Sequence, residues 1–244
     1  MYHPKTFAPY HPSDKNFFLL MLILIWAAIA TGFGNDMYKL SLLDKLHFTL
    51  IVHIHAAAFT GWLVLFTAQI LLVRTKNLAL HKKLGLISLG LIPLMIIFGL
   101  LASYMVAKRD YGTPNSDLHF ICVQFSNLLL FSCFVGVGLY LRKNYVVHKR
   151  LMLLATIALT EPGFSRFIYR DGDFSTATGF WLVEVLPQLL LMLAIGVYDF
   201  ATRKQLSKAY ILGVLFFLVV TSIEVFLYFN DNWFRLMKHM IGVV

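Results

Sequence analysis

The sequence predicts an all-α integral membrane protein, a bundle of seven transmembrane helices, and three observations predict it. The 244 residues are 59% hydrophobic, only 14% are charged, and the mean hydropathy is +0.74, well above an ordinary globular domain. Seven apolar runs, at 17–35, 46–73, 84–107, 118–141, 150–169, 178–200 and 209–229, are each near the roughly 20 residues that cross about 30 Å of hydrocarbon. The basic residues, finally, fall between those runs. With only short loops left over, residues 1–244 read as one membrane domain.

Each element follows from local signals. The first run follows a polar, Pro-bearing segment, MYHPKTFAPYHPSDKNFF, and has no small-residue cleavage site after it, so it reads as a retained helix. Loops rich in Lys, Arg, Asp, Gly and Asn separate the later runs. Pro162 and Pro187 are expected to kink the fifth and sixth spans beside Glu161 and Glu184. After the seventh run, Trp233, Leu236, Met237 and Met240 recur at helical spacing, predicting an interfacial helix. Cys122 and Cys133 lie in one span, where a disulfide within a helix is impossible, and read as packing residues.

Charge sets the expected orientation. Lys and Arg before the first run and in the second, fourth and sixth loops number thirteen, against seven on the other side. The positive-inside rule then puts the N-terminus in the cytoplasm and the C-terminus outside. A formal charge of +9 invites a nucleic-acid reading, but no basic stripe with interleaved aromatics is present, so the expected partner is the lipid bilayer.

Two helix hairpins match at a shift of about 66 residues, and an internal duplication is the natural source of such a match. LHKKLGLISL (80–89) and VHKRLMLLAT (147–156) both set a His, two basic residues and Leu at a helix start. His53 precedes Phe59 and Thr60 as His119 precedes Phe125 and Ser126. The intervals from His53 to His81 and from His119 to His148 are 28 and 29 residues. This arrangement gives an outer pair, His53 or His55 with His119, and an inner pair, His81 with His148. Two inward-facing His on different helices near one membrane face are what a b-type haem needs. His53 and His55, two residues apart, diverge by about 200° around the helix, and the repeat favours His53.

The acidic residues point to the outer half. Glu161, Glu184 and Glu224 lie in spans five to seven, where an unpaired carboxylate is costly and needs a partner. Arg166 is the expected counter-ion, and Gln124, Asn127 and Gln188 are available hydrogen-bond donors. No Gly-rich phosphate loop, CxxC pair, HExxH helix or nucleophile elbow is present.

The segment HAAAFTGWLVLFTAQILLVRTKNLALHKKLG (55–85), with His55, Gln69, His81 and Gly85, then HKRLM (148–152) and Arg166, resembles a large bacterial family of polytopic membrane proteins of unknown function. The resemblance covers spans two to five, implies a multi-pass protein of the bacterial inner membrane, and favours His55 over His53. A weaker likeness runs to the two-haem transmembrane b-type cytochromes, in which four helices hold two haems. It implies ligands at His53 or His55, His81, His119 and His148. The sequence departs from that family in setting its inner His residues at the span edges beside Lys and Arg.

Three functions compete. The first is a membrane electron-transfer protein carrying haem b, exchanging electrons with a quinone or a redox partner, with the outer carboxylates handling protons. The second is an intramembrane metal-dependent enzyme in which His53 or His55, His119 and one or more of Glu161, Glu184 and Glu224 bind Zn or Fe. The third is a transporter or membrane assembly factor with a polar core.

Overall fold

The computed structural model describes residues 7–44, 48–113, 116–168 and 174–242. Regular structure among them is entirely helical, and seven helical segments are long and apolar enough to cross a membrane. The first two are the continuous helices α1 (Asp14–Leu42) and α2 (Leu50–Arg74). The third span is split into α3 (Leu78–Gly85) and α4 (Ser88–Asp110), and the fourth is α5 (Ile121–Tyr140). Two pieces, α6 (Tyr145–Ala158) and α7 (Glu161–Ile168), form the fifth span. The sixth joins α8 (Ala177–Phe180), a π-helical turn at Trp181–Val185 and α9 (Leu186–Arg203). The seventh span, α10 (Lys208–Tyr228), leads into a short helix, α11 (Asp231–Met240).

Capping side chains start several of these elements. Asn77 and Asn144 accept from backbone N–H groups at the heads of α3 and α6, and Ser207 does so for α10. Both prolines expected to kink spans stand at irregular points: Pro162 opens a helix after the break at 159–160, and Pro187 follows a π-helical turn within an unbroken helical span. Pro162 and Pro187 occupy first turns, where a missing N–H leaves no hydrogen bond unmade. The fifth span is thus interrupted beside Glu161, whereas the sixth stays helical and widens into a π-helical turn at Glu184.

Alpha-helices α5 and α6 form the centre. Trp62 of α2, 2% exposed, sets its ring edge against Phe131 of α5 and donates from Nε1 to Thr156 Oγ1 of α6, at 3.3 Å. Leu153, Leu154 and Phe134 complete that layer. Leucine, isoleucine and valine on the outer faces of α1, α4 and α10 are exposed, among them Ile23, Ile97 and Val219, as a lipid-facing belt requires. The α1 helix packs on α7 at a close backbone approach: a Cβ added to Gly32 would stand 2.0 Å from the Gly163 carbonyl oxygen. Only glycine at both positions permits that crossing.

Candidate functional sites

The inner His pair meets. At the face that bears the N-terminus, the rings of His81 (α3) and His148 (α6) lie 6.4 Å apart between centroids and are almost perpendicular, at 87°. His148 reaches this position because Asn144 caps α6 and sets its first turn against the end of α5, where His148 Nδ1 is 2.8 Å from the Gly138 carbonyl oxygen. That contact fixes the ring and leaves Nε2 for another partner. The His81 ring faces the backbone of Gln69, and its Nδ1 is buried without a hydrogen-bond partner. The amide of Gln69 is likewise buried and unpartnered, and its nitrogen lies beside Gly85, 3.6 Å from where a Cβ would stand. Gln69 of α2, His81 and Gly85 of α3 and the sequence-distant His148 of α6 therefore form one cluster.

The α4 and α5 helices touch at Gly99, where an added Cβ would be 3.0 Å from Leu128. Counting about 1.5 Å per residue from that contact, Gly90 and Gly136 come at similar depth, about 12–14 Å toward the N-terminal face. Both are exposed, and a Cβ at either would meet nothing within 4 Å. These two glycines thus border open space at that end of α4 and α5.

The outer His residues do not assemble in the same way. His53 is exposed and edge-on to Phe48 at 6.1 Å, whereas His55 is half-buried, against Phe59 at 4.3 Å and the Phe98 backbone. Of the two, His55 is the one turned into the protein. His119 instead stacks on Phe234 of α11 at 4.9 Å, and its carbonyl accepts from Trp233 Nε1 at 3.2 Å. Among the described residues no ring contact joins His119 to His53 or His55. Nor are three or more His, Cys, Asp or Glu side chains grouped to hold a metal ion, so an outer Zn or Fe site of His53, His55, His119 and the glutamates is not assembled. His3 and His47, to which no role is assigned, lie outside the described residues.

The three glutamates do converge. Glu161 heads α7, Glu184 sits in the π-helical turn and Glu224 lies in α10; they are 3%, 2% and 3% exposed. Asn127 donates to Glu161 Oε2 at 2.8 Å, and Gln188 donates to the Glu184 main-chain oxygen at 3.2 Å. Glu184 is within hydrogen-bonding reach of Glu161, and Ser126 within reach of Glu224. Arg166 departs from expectation. Its direct ion pair is with Asp36 of α1, at 3.2 Å, and its guanidinium lies over Phe33, so the glutamates feel it only at longer range.

A second charged cluster is absent from the expectations above. Asp199 (α9) accepts two hydrogen bonds from Arg150 (α6), both side chains being almost wholly buried. Asp14, at the head of α1, accepts from Arg203 at 2.7 and 2.8 Å, from Lys149 at 2.8 Å and from Tyr198 at 2.7 Å. Phe7 lies over both Arg150 and Arg203. The sequence signal was present in the two acids at span ends, but basic residues at those ends read equally well as topology signals.

Comparison with known proteins adds no assignment, since no family model, curated protein or solved structure matches the chain.

Proposed function

We propose that this protein is a membrane b-type cytochrome that holds haem between His81 and His148 and transfers electrons at the N-terminal face. The observation that carries the reading is the pairing of these two rings. With metal–nitrogen bonds of roughly 2 Å, two imidazoles on opposite sides of one metal have ring centroids on the order of 6 Å apart. The separation of 6.4 Å fits, as does the Gly138 carbonyl on the far nitrogen of His148, the usual orienting partner of a metal-bound His.

Haem, when bound, supplies a one-electron couple. The chain's own residues orient and tune it. Gly138 fixes the plane of His148, and the unpartnered Gln69 amide beside His81 is a hydrogen-bond group within the same cluster. Lys76, Lys82, Lys83, Arg142 and Lys143 make this face basic, which suits an acidic redox partner or anionic lipid headgroups. By the positive-inside rule it is the cytoplasmic face of a bacterial inner membrane, with a quinol or a cytoplasmic protein as electron donor.

The visible spectrum of the purified protein tests this reading. A Soret band that sharpens and shifts on reduction is expected, lost in His81→Ala and in His148→Ala but kept in His53→Ala and His119→Ala. A helical, monodisperse and colourless preparation that takes up no added haem overturns it.

A further inference from the structure

The glutamate cluster lies outside the haem reading and carries an inference independent of it. Its unusual feature is the kind of atom left unsatisfied. Among the described residues, Gln124 Oε1, Glu161 Oε1, both carboxylate oxygens of Glu184 and Gln188 Oε1 are buried without a hydrogen-bond partner. All five are acceptors. Gln188, 2% exposed, spends its amide nitrogen on the Glu184 main chain one turn away, which holds its vacant oxygen at the same helix face as the Glu184 carboxyl. A buried site with only acceptors calls for a hydrogen-bond donor that the surrounding side chains do not supply.

The geometry narrows what that donor is. Metal ions are disfavoured, because no three acidic or other ligating side chains are grouped for one among the described residues. Two carboxyl groups within hydrogen-bonding reach can bond to each other only if one carries a proton. Glu161 opens α7 just after the break in the fifth span, Glu184 lies in the π-helical turn, and α7 packs against that turn, which brings the two together.

A cavity also approaches the site. It measures about 250 Å³ and opens toward the face that carries α11, lined by Ser103, Asp110, Asp117, Phe120, Gln124 and Tyr228 among others. Gln124 is the deepest α5 residue in its wall. One turn further along α5, Asn127 binds Glu161.

We infer that Glu161 and Glu184 form a proton-sharing carboxyl pair, loaded from the α11 face by way of the cavity at Gln124. In the loading step hydronium in the cavity gives one proton to the pair and leaves as water, and a carboxylate pair becomes a carboxylic acid bonded to a carboxylate. Asn127 holds Oε2 of Glu161. The other titratable or charged groups facing the pair are Glu224 from α10, which Cys122 of α5 touches, and Arg166 of α7, which is paired with Asp36 of α1 and sensed by His55 of α2.

Dicyclohexylcarbodiimide, which reacts with protonated carboxyl groups in apolar surroundings, is the test, applied to the full chain in detergent with peptide mass spectrometry. Labelling at Glu161 or Glu184 is expected to rise as pH falls, to be indifferent to Na⁺ and Ca²⁺, and to be lost at Glu161 in Glu184→Gln. Infrared difference spectra of the unmodified protein supply a readout that needs no variant to fold: a protonated-carboxyl carbonyl band that moves in D₂O. Gln124→Leu should slow deuterium uptake by that band severalfold. Protection by Na⁺ or Ca²⁺ makes this a metal-cation site and overturns the inference. So does the absence of both label and band at every pH where the protein remains helical. A Gln124→Leu variant with unchanged uptake overturns the route.

Discussion

Replacing Asp199 by asparagine removes the negative charge that holds Arg150 in a site where its side chain is 2% exposed. Breaking one partner of a buried ion pair costs about 3–5 kcal/mol, because the other charge is left uncompensated. Asp199→Asn is therefore expected to lower the thermal midpoint in detergent sharply. The paired change Arg150→Met with Asp199→Leu should recover much of the loss, as read by the same melting curve. The sequence announced some residues better than others, for physical reasons. His81 and His148 were legible as a pair because each starts a helix in a repeated context, and a helix start fixes both depth and face. The choice between His53 and His55 was not, because the repeat and the longer motif pointed opposite ways; exposure places His55 toward the protein. Arg150 and Arg203 were masked by composition, since a buried arginine and a loop arginine look alike until the carboxylate that binds it comes into view.

Between elements, the sharpest constraint is the crossing of α1 over α7. Gly32→Ala would force its methyl group into the Gly163 carbonyl, 2.0 Å away, so the helices must part along their length. Overpacking of this kind costs about 1–3 kcal/mol, and Gly163→Ala should behave alike, its Cβ meeting the Ala28 carbonyl at 2.7 Å. Gly34→Ala, two positions away in open space, is the control: its melting point is expected to stay at or above the wild-type value. The runs of apolar residues disclosed where spans lie but not where they break. Hydropathy averages over the 86–87 and 159–160 interruptions, and nothing in WLVEV distinguishes a π-helical turn from an α-helical one. Prolines marked both irregular points in place, Pro162 at the break before α7 and Pro187 just after the π-helical turn, without announcing which form each would take.

For the molecule as a whole, orientation is the property that most needs a measurement. Lys143 lies in the loop between α5 and α6, and Asn232 lies in α11, so the two belong to opposite faces of the seven-span bundle. Both are exposed. With the positive-inside orientation, Asn232→Cys is expected to react with a membrane-impermeant maleimide in intact cells, and Lys143→Cys only after permeabilisation. The reverse pattern would move the basic His81 and His148 face to the outside. The native Cys122 is buried and Cys133 half-buried, so the background is expected to be low.

The chain's first helix depends on partners made much later. Asp14 is bound by Arg203, 189 residues further on, and by Lys149, 135 residues further on; Gly32 docks on a helix that begins at Glu161. At synthesis rates of about 5–20 residues per second, α1 enters the bilayer and waits on the order of ten seconds or more before Arg203 exists. Lys149 and the Gly163 face of α7 are made earlier in that interval, so α1 gains its partners in sequence and the bidentate Arg203 contact last. The bundle therefore closes from its later spans back onto its first, and a chain stalled before the fifth span would leave α1 without its glycine dock or its basic partners.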